Sequence, residues 1–104
     1  MANRWRGDVP LVVDGERCEA RLTLGALAEL EDSLDAESLV GLVERFEGSR
    51  FTSRDVVALL GAGLRGTGKH ITDAQVADAH IEGGPMAAAK AAAELLARAF
   101  VVPE

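Results

Sequence analysis

The chain is poor in the residues that build disulfides, metal sites and aromatic cores. It has one cysteine, two histidines, one tryptophan, three phenylalanines and no tyrosine in 104 residues. A single thiol, Cys18, excludes an intramolecular disulfide and indicates a reducing compartment. His70 and His80 are ten residues apart and share no metal-ligand spacing with an acid or with Cys18, so we expect no metal site. The core must therefore consist mainly of leucine, valine and alanine.

Long apolar runs and clustered bases are also missing. No stretch approaches the ~18 apolar residues of a membrane-spanning helix. Residues 1–6 lack the apolar segment of a signal peptide. Because phosphate binding requires grouped Lys and Arg, nucleic acid is a poor partner for this chain. We therefore expect a cytoplasmic protein that binds neither membranes nor nucleic acids.

The acidic residues are unevenly distributed. Residues 29–47 contain seven acids and a single base, Arg45, whereas the other ten acids and ten bases cancel, so this segment holds the whole net charge of −6. Such a segment is either the solvated face of two amphipathic helices or a docking surface for a basic partner. In the second case the candidate partner-binding residues are Glu29, Asp32, Glu37, Glu44 and Glu47.

An Asp-Gly pair, Asp14 and Gly15, predicts a β-hairpin over residues 9–22. This pair favours a two-residue type I′ turn, in which both central residues have positive φ. The resulting register pairs Val9 with Ala20, Leu11 with Cys18 and Val13 with Glu16. Pro10 cannot donate a hydrogen bond, so the first strand should lie at an edge. The hairpin has one apolar face, which the rest of the chain must cover.

Beyond the hairpin the apolar spacing changes from two to three and four, which indicates helices. Four predicted helices begin with a capping residue that has an apolar residue before it and another five positions later. These caps are Thr23, Asp35, Thr52 and Thr72. A fifth helix should begin at Gly84 and Pro85, since proline is well tolerated in the first turn.

The predicted fold is therefore α+β and mainly α, with one domain over residues 1–104. The hairpin is followed by about five short helices over residues 23–100. Residues 101–104 form an apolar tail that either folds back on the hairpin or is free for a partner.

Each predicted helix has an apolar stripe that we expect to face the core. The stripes of the first three helices are Leu24, Leu27, Leu30 and Leu34; Leu39, Leu42, Val43 and Phe46; and Val56, Val57, Leu60 and Leu64. Those of the last two are Val76 and Ala77, and Met86, Ala89, Ala93, Leu96 and Phe100.

Residues 61–70 imitate nucleotide-binding motifs, with both a G-x-G-x-x-G and a G-x-x-x-x-G-K pattern. A phosphate-binding loop needs a strand before it and a helix after it. Residues 55–64 are predicted to be a capped helix instead, and His70 replaces the Ser or Thr that would bind magnesium. We predict that these glycines close a helix, that His80 is a partly buried helical residue, and that no cofactor is bound. No set of residues suggests nucleophilic or acid–base chemistry, so we do not expect an enzyme.

Three segments, in this order, resemble the small tail proteins of gene transfer agents that are grouped with phage tail assembly chaperones. They are residues 21–31 (RLTLGALAELE) after a small hairpin, residues 55–64 (DVVALLGAGL), and Gly83-Gly84-Pro85 leading into an alanine-rich helix that ends at residues 95–100 (LLARAF). The similarity extends over nearly the whole chain.

This resemblance implies a gene between those of the tail tube and the tape-measure protein. The product would keep the tape-measure protein soluble during tail assembly, with possible contacts to the tube protein and to itself, and no catalytic residues. Two alternatives stay open, a structural tube-associated subunit of the tail and a small protein-binding module.

Overall fold

The computed structural model describes residues 8–33 and 39–100. The elements are β1 (Val9–Val13), β2 (Glu16–Ala20), α1 (Leu24–Ser33), α2 (Leu39–Glu47), α3 (Ser53–Gly66), α4 (Asp73–Asp78) and α5 (Gly84–Ala99). This order confirms the predicted α+β, mainly α fold. The cap predicted at Asp35, the stripe residue Leu34 and the tail at 101–104 lie outside the described residues.

The hairpin has the predicted turn and register. Asp14 and Gly15 have φ values of 51° and 81°, as a type I′ turn requires. Val9 lies opposite Ala20 and Leu11 opposite Cys18. Of these four, Val9, Leu11 and Ala20 are buried, and Cys18 packs against the core at its edge. The apolar face of the hairpin is thus the face that the helices cover.

A segment that the sequence did not reveal covers the outer edge of β1. The backbone N–H of Asp14 donates to the carbonyl of His80 (2.7 Å), and that of Glu82 donates to Val12 (3.0 Å). Between them, Ile81 forms an antiparallel bridge with Val13. His80 is exposed and lies after the end of α4 at Asp78, so the prediction that it is a partly buried helical residue is wrong.

The described helix caps follow the sequence signals. The Thr23 hydroxyl accepts from the backbone N–H of Ala26 at 3.1 Å. Thr52 and Thr72 form complete capping boxes with Asp55 and Gln75, in which two backbone N–H groups are satisfied reciprocally. Local sequence thus fixes where α1, α3 and α4 begin.

α3 is the central helix of the fold. Beyond the expected Leu60 and Leu64 it buries Ala58, Leu59 and Ala62, because the hairpin and α1, α4 and α5 all pack around it. It runs through Gly61 and Gly63 to Gly66, further than the helix end predicted before Gly66.

The glycines of α3 allow neighbouring elements to approach closely. A Cβ atom on Gly63 would lie 3.0 Å from both the Ala20 Cβ and a Leu95 methyl group, and one on Gly66 would overlap the carbonyl oxygen of Arg21. A Cβ atom on Gly61 would likewise overlap the Asp73 carboxylate. Gly61 and Gly63 therefore lie within the helix and allow close packing, which corrects the prediction that they close it.

The predicted stripe of α1 is wrong at its first residue. Leu24 is 86% exposed, whereas Ala26 and Leu30 are buried and Leu27 is half-buried. Successive helical residues are 100° apart, so Leu24 lies 200° around the helix from Ala26, on the opposite side. The α2 stripe is confirmed at Leu42, which is fully buried.

The predicted stripe of α5 is confirmed at Leu96, which is buried, but is wrong at Met86, Ala93 and Phe100. Met86 is 83% exposed and Phe100 47%, and Ala93 is also exposed. The residues that α5 buries are Ala88, Ala91, Ala92, Leu95 and Leu96. Because α5 is alanine-rich on most of its circumference, apolar spacing did not fix its orientation, and the fit of Leu95 against Gly63 did. On α4, Val76 is buried as expected and Ala77 is exposed.

Candidate partner-binding surface

An open groove lies between α3, α4 and α5, and we refer to it as the α3–α5 groove. Its floor is formed by one face of α3, and its walls by α4 with the loop that follows it and by the first turns of α5. The residues that line it include Phe51, Val56, Val57, Leu60, Val76, Ile81, Pro85, Met86 and Ala89. Of the described residues that line it, Ser53 and His80 alone have polar side chains.

Met86 gives this groove an exposed apolar edge. The large apolar side chains that the described residues leave exposed are Leu24, Val40, Met86 and Phe100, and Met86 is the member of this set that lines the groove. Single exposed apolar residues are ordinary on protein surfaces. Met86 differs because it continues an apolar depression, and its flexible thioether side chain adapts to different partner shapes.

At one end of the groove, α2 contacts Phe51 and the first turn of α3. Phe51 lines the groove and stacks on Phe46, with ring centroids 4.5 Å apart and an interplanar angle of 7°. Next to this stack, Arg45 donates from Nε and Nη2 to the two carboxylate oxygens of Asp55, at 3.1 and 2.9 Å. The position of α2 is therefore set by groups that are partly buried beside the groove.

The structure places the predicted acidic residues on two helices. Asp32 lies on α1, and Glu44 and Glu47 lie on α2; all three are exposed. Glu44 and Glu47 are three residues apart and so share one side of their helix. Glu37 lies outside the described residues. Whether these acids contact a partner remains a prediction.

Glu29, the fifth predicted acid, takes part in an internal ion pair. The Arg65 guanidinium bonds to Glu29, to Asp73 (3.0 Å) and to the carbonyl of Ile71 (2.8 Å). Partial burial opposes the charged form of Arg65, but its hydrogen bonds and its two acidic neighbours outweigh this effect and raise its pKa. Glu29 thus joins α1 to α3 and α4 through Arg65, a role that its sequence context did not indicate.

The lysine of the nucleotide-like motif also has a structural partner. Lys69 Nζ donates to Glu16 Oε1 at 2.6 Å and so ties the loop after α3 to the hairpin. This hydrogen bond lowers the pKa of Glu16 and raises that of Lys69. Residues 53–66, which precede the lysine, form a helix and not the strand that a phosphate-binding loop requires.

Two further features bear on the kind of site to expect. Within residues 8–33 and 39–100, no three His, Cys, Asp or Glu side chains are placed to hold a metal ion. No helix in the same ranges is long and apolar enough to cross a membrane.

Comparison with known proteins gave one match. A family described as "Phage tail tube protein, GTA-gp10" matches residues 6–101 of the chain. Neither the curated proteins nor the solved structures gave a match. The matched residues include every described helix and strand.

Proposed function

The chain belongs to the GTA-gp10 family of phage tail tube proteins, and from this premise we propose that it is a non-enzymatic assembly chaperone of a phage-like tail. In this proposal it binds an apolar helical segment of the tape-measure protein in the cytoplasm and keeps that protein soluble while the tube forms. The tube protein is a second proposed partner.

The α3–α5 groove is the observation that carries this proposal. An isolated amphipathic helix exposes an apolar stripe that promotes aggregation. A groove between helices can cover such a stripe, with anchors at helical spacing. Val56, Val57, Pro85 and Met86 provide apolar surface of this kind, with few polar groups among them.

The edges of the hairpin favour a chaperone over a subunit that joins its neighbours by sheet pairing. In this register the backbone groups of residues 10 and 12 on β1, and of 17 and 19 on β2, point away from the hairpin. Val12 is bonded to Glu82, and the Glu19 carbonyl accepts from the Thr67 hydroxyl at 2.7 Å. Pro10 has no N–H to offer. The outer edge of β1 and the Glu19 carbonyl on the edge of β2 are thus engaged within the chain, whereas sheet extension needs a free edge.

A structural, tube-associated subunit is the second candidate, and the description of the family as a tail tube protein favours it. The two candidates differ in what remains in the finished particle. A structural subunit stays at fixed stoichiometry in purified particles, and a chaperone is depleted from them. Quantitative mass spectrometry of purified particles distinguishes these outcomes.

Co-expression with the neighbouring tape-measure protein tests the chaperone function. We expect the wild-type chain to increase the soluble fraction of that protein, and Met86→Glu to abolish the increase by placing a charge in the groove. Leu24→Glu is the matched control, because Leu24 is equally exposed and lies outside the groove. A soluble fraction that does not change when the wild-type chain is present would contradict the proposal.

The acidic segment has a separate proposed role, which is to steer a basic partner toward the protein. Exposed charges of this kind act mainly on the association rate and are screened by salt. Reversing Glu44 and Glu47 to lysine should therefore slow association with the tape-measure protein, as should added salt. If neither change alters the association rate, the acidic segment is only a solvated surface.

A further inference from the structure

The outward side of α5 carries a mainly apolar stripe, which we call the α5 face. Its residues are Met86, Lys90, Ala93, Ala97 and Phe100, all of them exposed. They are four, three, four and three positions apart, which is the spacing of a coiled-coil seam. At about 100° per residue they fall within about 80° of the helix circumference. Lys90 alone among them is charged, so α5 presents to solvent the kind of surface with which helices pair.

The α5 face is symmetric about Ala93. Met86 lies seven residues before Ala93 and Phe100 seven residues after it, which is about 10 Å along the helix in each direction. A two-fold axis beside Ala93 would bring a second α5 alongside in the antiparallel direction and place Met86 of each copy next to Phe100 of the other, a sulfur–aromatic contact. The small side chains of Ala93 and Ala97 would allow close approach between these ends. The face therefore complements a second copy of itself.

The charges beside this face fit an antiparallel copy and oppose a parallel one. Glu94 lies on the same side of α5 as Lys90 and is 37% exposed, with Arg98 at 3.6 Å. In the two-fold arrangement Lys90 of one copy and Glu94 of the other lie at levels about 3 Å apart along the helix axis. In a parallel pair Lys90 would instead lie opposite Lys90, and Glu94 opposite Glu94. Interhelical charges of this kind set the orientation of paired helices.

We propose that two copies of the chain pair antiparallel through the α5 face, with Ala93 at the two-fold axis and Lys90 of each copy contacting Glu94 of the other. The proposal does not rest on the chaperone function. Met86 belongs to both surfaces, but Ala93, Ala97 and Phe100 lie outside the α3–α5 groove. A contact of one helix per copy, about 24 Å long and about 10 Å wide, is smaller than the about 1,200–2,000 Å² of standard stable interfaces. We therefore expect a reversible dimer with a dissociation constant of about 10–100 μM.

Sedimentation equilibrium of the full-length chain over a range of concentrations measures this association. Ala93→Glu places two carboxylates together at the two-fold axis and should weaken the dimer at least about tenfold. Leu24→Glu is the matched control, since it adds the same charge at an exposed position on α1 and should leave the association unchanged. A wild-type chain that stays monomeric at 1 mM, about ten times the highest expected dissociation constant, would overturn the proposal. Equal weakening by the two variants would overturn it as well.

Exchanging the charges tests the contact between Lys90 and Glu94. Lys90→Glu and Glu94→Lys should each weaken self-association roughly three- to tenfold, because each places like charges opposite each other. An equimolar mixture of the two variants should recover wild-type affinity, since each contact between the two different chains again joins a lysine to a glutamate. If the mixture associates no better than the separate variants do, the proposed contact is wrong.

Cysteine cross-linking tests the orientation, in a Cys18→Ser background that removes the native thiol. With oxidised glutathione, Ala93→Cys should form disulfide-linked dimers, because the two copies of residue 93 meet at the axis. Met86→Cys should not, since its two copies lie about 21 Å apart in the antiparallel pair, beyond the reach of a disulfide. Efficient cross-linking of Met86→Cys to itself would indicate a parallel pair and overturn the proposal.

Discussion

Arg45 on α2 and Asp55 in the first turn of α3 form a bidentate ion pair, and the Asp55 carboxylate also caps α3. Asp55 is 4% exposed, and its Oδ2 accepts from the backbone N–H of Thr52 at 2.9 Å as well as from Arg45 Nε. One side chain thus both starts the central helix and holds α2 beside it. The N-terminus of a helix carries a partial positive charge, so the negative charge of Asp55 in the first turn of α3 is also favourable.

Replacing Asp55 by alanine should lower the free energy of unfolding by about 2–4 kcal/mol, since the change removes a helix cap and leaves Arg45 without this partner. Urea denaturation followed by circular dichroism measures the loss. Asp32→Ala is the control, because Asp32 is exposed and its removal should change stability by less than about 0.5 kcal/mol. Equal effects of the two changes would show that the ion pair contributes nothing.

The same glycine-to-alanine change should have opposite effects at two helical positions. At Gly66 the new methyl group would overlap the Arg21 carbonyl, so we expect a loss of about 1–3 kcal/mol. At exposed Gly25 the nearest atom to the new Cβ is the Thr23 hydroxyl at 3.8 Å, so better helix propensity should add about 0.5–1 kcal/mol. Thermal melts of both variants measure these changes in stability. Stabilisation by Gly66→Ala would disprove the close approach of Gly66 to the Arg21 carbonyl.

Leucine-to-alanine changes should separate the true core from the stripe that the sequence suggested. Leu59 is fully buried in α3, so Leu59→Ala should cost about 2–5 kcal/mol. Leu24→Ala should cost less than about 0.5 kcal/mol because that side chain is exposed. Denaturant midpoints give both values, and a large loss at Leu24 would mean that α1 packs in the other phase.

The Glu16–Lys69 contact predicts a measurable change in titration. The lowered pKa of Glu16 means that its contribution to stability is present above its unfolded-state pKa and is lost as pH falls through the folded-state value. The raised pKa of Lys69 means that its contribution is lost as pH rises through that value. Lys69→Ala should raise the pKa of Glu16 towards its ordinary value, as followed by NMR of the Glu16 carboxyl. An unchanged pKa would exclude the contact in solution.

Local chemistry explains why much of the fold was predictable. The turn at Asp14 and Gly15 and the caps at Thr23, Thr52 and Thr72 depend on atoms within a few residues, which the sequence displays directly. The α3–α5 groove was not predicted, because His80 and Ile81 reach it through pairing with β1, a contact between residues more than 60 positions apart.

The sequence by itself determined the element types, the hairpin register, the starts of α1, α3, α4 and α5, and the family, because period, turn residues and caps are properties of short segments. Tertiary structure decided which sides of α1 and α5 face inward and hence that Met86 faces solvent. The physical reason is that α1 and α5 are apolar on more than one side, so spacing along the sequence leaves their orientation open. For α5, the close fit of Leu95 beside Gly63 selected it. Tertiary structure also decided which charges pair internally, as Glu29 and Asp55 do with Arg65 and Arg45.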